Sequence, residues 1–243
     1  MTDMKDEKPA GEFAEDEAWL RHRAAFSETY DEANYKSPLQ RFVMHASHRL
    51  TERAIPASAH YPDVIEIGAG TGEHLPFVRH RYDRYVLTDL DSKTLDIARQ
   101  KLPATLSAKA AFEAQPSGRL QYGDNSFDRL VATHVLEHIY QPHLALKEWQ
   151  RVVRKDGTLS ILIPTDPGMA WRLGRHLGPR RHALRQGLAY DYLMAREHVN
   201  SCNNLIALLR HYFPQRTEHW WPTPIPSIDL NLFFLFTAKN LKG

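Results

Sequence analysis

Cysteine is almost missing: the 243 residues contain one, Cys202. A lone thiol forms no internal disulfide and builds no thiolate zinc site, which excludes a disulfide-framed scaffold and a zinc ribbon. Long hydrophobic runs are missing too. The longest are Leu159 to Pro164 and Leu232 to Phe236, far short of the roughly 20 apolar residues a membrane span needs. Neither sign of charge is in excess. Lys+Arg is 31 and Asp+Glu is 29, a net of +2, which argues against a tail-driven nucleic-acid binder but not against a local basic patch. No apolar stretch follows the acid-rich first residues, so no secretory leader is expected, and the location expected is cytoplasmic. Lysine is absent between Lys155 and Lys239.

Hydrophobic residues make up 42% and charged residues 25%, a balance that supports a globular core. The expected layout is a polar tail over 1–14 and a single domain over 15–243. Within that domain, 15–55 reads as a helical lid, 60–165 as the core and 166–200 as an arginine-rich helical cover. Trp19, Leu20, Ala24 and Phe26 suggest a helix from Glu15 to Tyr30. Phe42, Val43, Ala46 and Leu50 suggest a second from Leu39 to Arg53. Strand and helix patterns then alternate. Strands are expected at Asp63 to Ile67, Arg84 to Thr88, Phe112 to Ala114, Phe127 to Thr133 and Leu159 to Ile163. Helices are expected at Glu73 to Arg81, Ser92 to Leu102 and Pro142 to Arg154, with a turn at Asp156-Gly157. A helix at Asn203 to Tyr212 and strands at Gln215 to Trp221 and Leu230 to Phe236 follow. The pattern predicts an α/β fold: a mostly parallel sheet with helices on both faces, closed by a C-terminal antiparallel hairpin.

The strongest local signal is Glu66-Ile67-Gly68-Ala69-Gly70-Thr71-Gly72. It follows a strand, where glycines let the backbone turn tightly and approach a ligand closely. Asp89 ends the next strand, placed to accept hydrogen bonds from ribose hydroxyls. The spacing G-x-G-x-G differs from the dinucleotide pattern G-x-G-x-x-G. Glu66 would repel a pyrophosphate and favour a cationic amine, which points to S-adenosyl-L-methionine. An NAD-dependent oxidoreductase and a cofactor-binding regulatory protein without catalysis stand as alternatives.

These residues, with Val86 to Arg99, Asp124-Asn125-Ser126-Phe127-Asp128, Val135-Leu136-Glu137-His138-Ile139 and Arg151 to Leu159, resemble the class I S-adenosylmethionine-dependent methyltransferases. The flavour is the type-11 group that includes quinone-biosynthesis enzymes. The resemblance implies a Rossmann-like seven-stranded sheet with an N-terminal helical lid. It implies that Gly68, Ala69, Gly70 and Gly72 cradle the methionyl part and that Glu66 orients its amine. Asp89 would hold the ribose, Leu90 would lie against the adenine, and Thr133 and His134 would line the methyl-donor end. Tyr30, in the lid, would touch the methionyl carboxylate or the acceptor. The family's usual acid for the adenine amine is replaced by Pro116, which leaves Gln115, Ser117 or backbone for that contact.

His134, Glu137 and His138 lie at i, i+3 and i+4 after the fourth strand, and His198 precedes the last long helix. Three histidines at the reactive end are candidate general bases, with His198 expected to deprotonate or orient the acceptor. The same groups could ligate a divalent metal. The commoner use of Leu-Glu-His is local hydrogen bonding, so no metal is assigned from sequence. Residues 171–216 carry eight arginines against Asp191 and Glu197, which suggests a small anionic acceptor: a metabolite, a sugar or a lipid headgroup. Trp171 and Leu173 beside this basic run also suit a peripheral membrane contact.

Overall fold

The computed structural model describes Asp16, Glu17, Trp19, Leu20 and residues 37–241. The expected helix from Glu15 to Tyr30 falls largely outside the described residues, and Tyr30 falls wholly outside them.

One seven-stranded sheet organises the chain, in the order β3-β2-β1-β4-β5-β7-β6. Its strands are β1 (Asp63–Ile67), β2 (Arg84–Asp89), β3 (Ala110–Ala114), β4 (Phe127–Thr133), β5 (Val153–Pro164), β6 (Arg216–Trp221) and β7 (Phe233–Lys239). The pairs joining β1 to β5 are parallel. Only β7 runs antiparallel to its neighbours, between β5 and β6. The helices are α1 (Pro38–Arg53), α2 (Ser92–Lys101), α3 (Ala104–Ser107), α4 (Pro142–Val152), α5 (Met169–Leu177), α6 (Pro179–Arg185), α7 (Tyr190–Glu197) and α8 (Cys202–Tyr212). The chain winds from β1 outward to β3, then returns through β4 on the other side of β1. This reversal opens a crevice at the carboxyl ends of β1 and β4.

The two faces of the sheet differ in chemistry because side chains alternate along each strand. Ile65, Ile67, Leu130, Ala132, Ile161 and Phe236 form one face, an apolar layer packed against Trp149 of α4 and Leu205 and Leu209 of α8. Full burial of each such side chain contributes about 1.5–3 kcal/mol. The opposite face alternates Val64 with Glu66 and Arg129 with Val131. Its centre is therefore polar, and α1 lies over part of it. Val43 and Leu50 of α1 pack on Leu162, Phe233 and Leu235.

Beside that apolar contact, α1 makes an ion pair through the core. The two terminal guanidinium nitrogens of Arg129, Nη1 and Nη2, donate to Glu52, at 3.1 and 2.7 Å. The Arg129 side chain is 0% exposed and that of Glu52 is 3%. Arg129 also donates to Ser160 Oγ of β5 at 3.2 Å. Glu52 Oε1 lies 3.0 Å from His74 Nε2, and His74 Nδ1 lies 3.2 Å from His48 Nδ1 of α1. Burial alone would raise the Glu52 carboxyl, but Arg129 and His74 hold it well below the usual carboxylate range. Burial pushes the His48 imidazole well below its ordinary value, so its ring is neutral.

Three expectations are corrected. The helix from Glu73 to Arg81 is a single 3-10 turn at Leu75–Phe77. The backbone there is drawn away by pairing with the segment before β1: Tyr61 N donates to the Arg81 carbonyl, and Arg81 N to that of Ala59. The turn at Asp156-Gly157 sits inside β5 as an irregularity in its pairing with β4, with Asp156 at φ 62°. The last strand begins at Phe233 rather than Leu230. Asn231 holds the preceding loop in a turn, donating to the carbonyls of Ile225 and Ser227 and accepting from Thr223 N.

Removing one partner of the buried pair strands the other charge. Arg129→Met should cost about 3–5 kcal/mol, read from the urea midpoint. The Glu52 carboxyl is depressed in the folded state. Its contribution is therefore complete above the unfolded value of about 4.3 and declines as pH falls below it. Urea midpoints measured from pH 5 to pH 3 should fall more steeply in the wild type than in the Glu52→Gln/Arg129→Met double variant.

Candidate active site

The glycine loop leaves β1 through three left-handed residues: Gly68 at φ 65°, Gly70 at φ 52° and Gly72 at φ 78°. A Cβ on Gly68 would stand 2.4 Å from Val135 Cγ2, so both conformation and space demand glycine there. Gly70 N donates to Asp89 Oδ2 at 2.9 Å, and Ala69 N to the Thr88 carbonyl at 2.9 Å. These bonds tie the loop to the end of β2. Asp89 Oδ1 accepts from Asp91 N at 3.0 Å. Burial pushes the Asp89 carboxyl up, partly offset by these backbone donors. Leu90, beside it, is 73% exposed.

Glu66 points from β1 toward α1 and accepts from Tyr85 Oη at 2.8 Å. Burial raises its carboxyl, tempered by His74 and by the Tyr85 hydroxyl. A small cavity lies here. It gathers Glu66, Gly68, Ala69, Thr133 and His134 from among the residues read from sequence, and Met44, His48, Thr71, Glu73 and His74 around them. Gly70, Gly72, Asp89 and Leu90 sit on the loop and strand end outside this cavity. The sequence reading missed Met44, His48 and His74. They carry no local motif, since α1 reaches the loop only through the fold. Arg129 did leave a trace: a charged residue inside a buried strand requires an acid, although the sequence does not say which.

Gln115 does not offer a free edge for an adenine. Its amide donates to Tyr122 Oη and Glu113, and its oxygen accepts from Gln121 N. That leaves Ser117 and the backbone.

The histidines converge at the ends of β4 and β5, but not symmetrically. His134 follows β4 directly, at φ 58°, a left-handed conformation that costs a non-glycine residue about 1 kcal/mol. Its Nε2 lies 3.1 Å from Ser47 Oγ of α1. Burial, with His138 and His198 nearby, pushes its imidazole down to about 3. It is a neutral hydrogen-bonding ring and a weak base. His138 and His198 face each other, with ring centroids 5.0 Å apart. His138 Nδ1 donates to the Glu197 carbonyl at 2.9 Å. His198 Nδ1 pairs with Asp166 Oδ2 at 2.9 Å, and Trp171 stacks beside it. The Asp166 carboxyl, raised by burial, is brought below its ordinary value by His198 and Arg175.

The arginine-rich cover is more neutral than its composition suggested. Arg175 pairs with Asp166, Arg180 with Asp191, Arg196 with Asp16, and Arg210 and Arg216 with Glu218. Asp16, Asp166 and Glu218 lie outside the stretch in which acids are scarce, so chain folding supplies what local composition lacks. Arg172, Arg181 and Arg185 are exposed. No helix of the described residues is long and apolar enough to cross a membrane.

Comparison with known proteins agrees with this geometry. A family model described as a methyltransferase domain matches residues 65–161. Phosphatidylethanolamine N-methyltransferase of Cereibacter sphaeroides is 30% identical over 100 residues, 41% of this chain and 49% of that protein. Demethylmenaquinone methyltransferase of Chlamydia pneumoniae is 30% identical over 106 residues, 43% of this chain and 45% of that protein. The chain thus spans less than half the length of these curated relatives. The N-methyltransferase NodS from Bradyrhizobium japonicum WM9, solved with S-adenosyl-L-homocysteine, superposes with a TM-score of 0.63 at 15% identity, covering 93% of this chain and 100% of that one. That likeness is one of fold.

The Gly68→Ala substitution forces Val135 aside and strains the loop. It should lower stability by about 1–3 kcal/mol in urea unfolding. Sheet order, glycine loop and matched segment agree: residues 65–161 match the methyltransferase-domain family, and the fold around them is that of the class I, type-11 S-adenosylmethionine-dependent methyltransferases that the chain resembles.

Proposed function

We propose that the protein transfers the methyl group of S-adenosyl-L-methionine to a small acceptor by in-line attack on the sulfonium carbon. The observation that carries this reading is the convergence of three strand ends. The glycine loop after β1 meets Thr133-His134 at the end of β4 in a cavity lined by α1, and Asp89 at the end of β2 is tied to that loop through Gly70 N. In this reading Gly68, Ala69, Gly70 and Gly72 cradle the methionyl chain, and Glu66 orients its amine. Each Asp89 oxygen already accepts one backbone hydrogen and keeps a lone pair for a ribose hydroxyl. The exposed face of Leu90 takes the adenine. The cofactor supplies the reactive bond, while the protein aligns the partners and excludes water. Residues 166–200 would cover the acceptor.

At the methyl-donor end, His198 is the group we assign to deprotonate or orient the acceptor. Asp166 accepts from its Nδ1–H, which leaves the Nε2 lone pair available. The relatives act, by their names, on a lipid amine and on a quinone precursor, so they favour no single acceptor atom. A small anionic acceptor keeps the support of Arg172, Arg181 and Arg185 only. A cytoplasmic setting belongs to the same proposal.

Calorimetry should show S-adenosyl-L-homocysteine binding and no comparable NAD binding. Asp89→Ala should weaken the former at least tenfold. Tight NAD binding alone would overturn the reading. Labelled S-adenosyl-L-methionine incubated with cell extract should pass its methyl to the aqueous or lipid fraction. Retained cofactor binding without any transfer would instead support a regulatory protein. His198→Ala should lower turnover roughly 10²–10⁴-fold while cofactor binding persists.

A further inference from the structure

Glu137 stands out among the buried polar groups. Its carboxylate is 3% exposed, and its Oε2 has no hydrogen-bond partner. An acceptor buried without a donor is costly unless something cationic completes it. The groups around it are imidazoles. His138 Nε2 lies 3.8 Å and His134 Nδ1 3.9 Å from Glu137 Oε1. One ligand atom from each of Glu137, His138 and His198 falls within 4.8 Å of the other two. Two ligands about 2.1 Å from a shared ion stand at most about 4.2 Å apart, so small side-chain rotations close the set.

Both imidazoles are already set for coordination. His138 gives its Nδ1–H to the Glu197 carbonyl and His198 gives its own to Asp166. Each ring therefore keeps its lone pair on Nε2. Outward anchoring of the second ring nitrogen by a carbonyl or carboxylate is the arrangement that orients metal-bound histidines.

We propose that Glu137, His138 and His198 bind a divalent first-row transition-metal ion, with Asp166 and the Glu197 carbonyl as orienting partners. Two imidazoles and one carboxylate suit such an ion and leave coordination positions open. His134 links the site to the cofactor cavity, since it lines that cavity and lies 3.9 Å from Glu137. The ion's role, unlike its binding, rests on the methyltransferase reading. Its open positions would hold an oxygen of the acceptor and lower that oxygen's pKa. The acceptor O–H gives its proton to solvent, and the oxygen forms a bond to the methyl carbon. The carbon–sulfur bond breaks, leaving its electron pair on sulfur. Of the two roles assigned to His198 above, an ion here would select orientation: the ring would position the acceptor through the metal.

Tag-free protein stripped with a chelator and titrated with Co²⁺ alone should bind one ion per chain and develop a visible d–d band. Glu137→Gln and His198→Ala should each weaken Co²⁺ binding at least tenfold, and Asp166→Ala roughly 10–100-fold. His138 is 39% exposed, so His138→Gln leaves the core intact and decides the matter if the buried variants fail to fold. Absence of saturable one-to-one Co²⁺ binding in the wild type, or binding unchanged in His138→Gln, overturns the site. S-adenosyl-L-homocysteine calorimetry on the same samples separates this from the function above. A chain that takes Co²⁺ through these residues but ignores the cofactor analogue keeps the ion site and loses the methyltransferase reading.

Discussion

The Glu52–Arg129 pair is the constraint around which this molecule is arranged. Arg129 projects from a central strand into the space beneath α1, where its side chain is 0% exposed. A charge in that position persists only with a partner of opposite sign and further hydrogen bonds. Glu52 supplies the charge, Ser160 a hydrogen-bond acceptor, and His74 a second partner for the carboxylate. Because Glu52 sits at the end of α1 and His74 just beyond the glycine loop, one ion pair sets the height of the helix over the loop. The apolar contacts of Val43 and Leu50 bring α1 to the sheet, and the ion pair fixes its register there.

That placement explains why the cofactor cavity is polar on one side. The sheet face that bears Glu66 and Arg129 could not be covered by an apolar helix without orphaning both groups. The helix that covers it carries Ser47, His48 and Glu52 inward. The other face has no such demand, and Trp149, Leu205 and Leu209 seal it with hydrocarbon. The molecule thus separates stability from chemistry. One face is a dry core, while the other is a hydrogen-bonded network ending at the crevice where β1 and β4 diverge.

The histidine cluster shows the same economy at the ends of β4 and β5. Spacing placed His134, Glu137 and His138 on one turn. The structure then divided them. His134 turns toward α1 and is held neutral, whereas His138 and Glu137 turn toward His198, sixty residues later. Asp166, which orients His198, carried no signal in the sequence because its value lies in a contact across 32 residues. The arginine-rich segment misled in the opposite direction. Its excess of positive charge was real as composition, yet acids from β6, from just past β5 and from the N-terminal region pair with four of the eight, and Asp191 within the segment pairs with a fifth.

The sequence by itself determined the alternation of strands and helices, the G-x-G-x-G loop and the acid ending the second strand. Each depends on residues close along the chain: buried β-branched and leucine runs, glycines at left-handed positions, a carboxylate at a strand end. Only tertiary structure decided which acid pairs with Arg129, which way each histidine faces, and whether Glu73 to Arg81 coils. Those outcomes depend on partners distant in sequence. A buried charge, an imidazole tautomer or a stretch of backbone amides takes the state that its spatial neighbours satisfy, and local pattern carries no record of them.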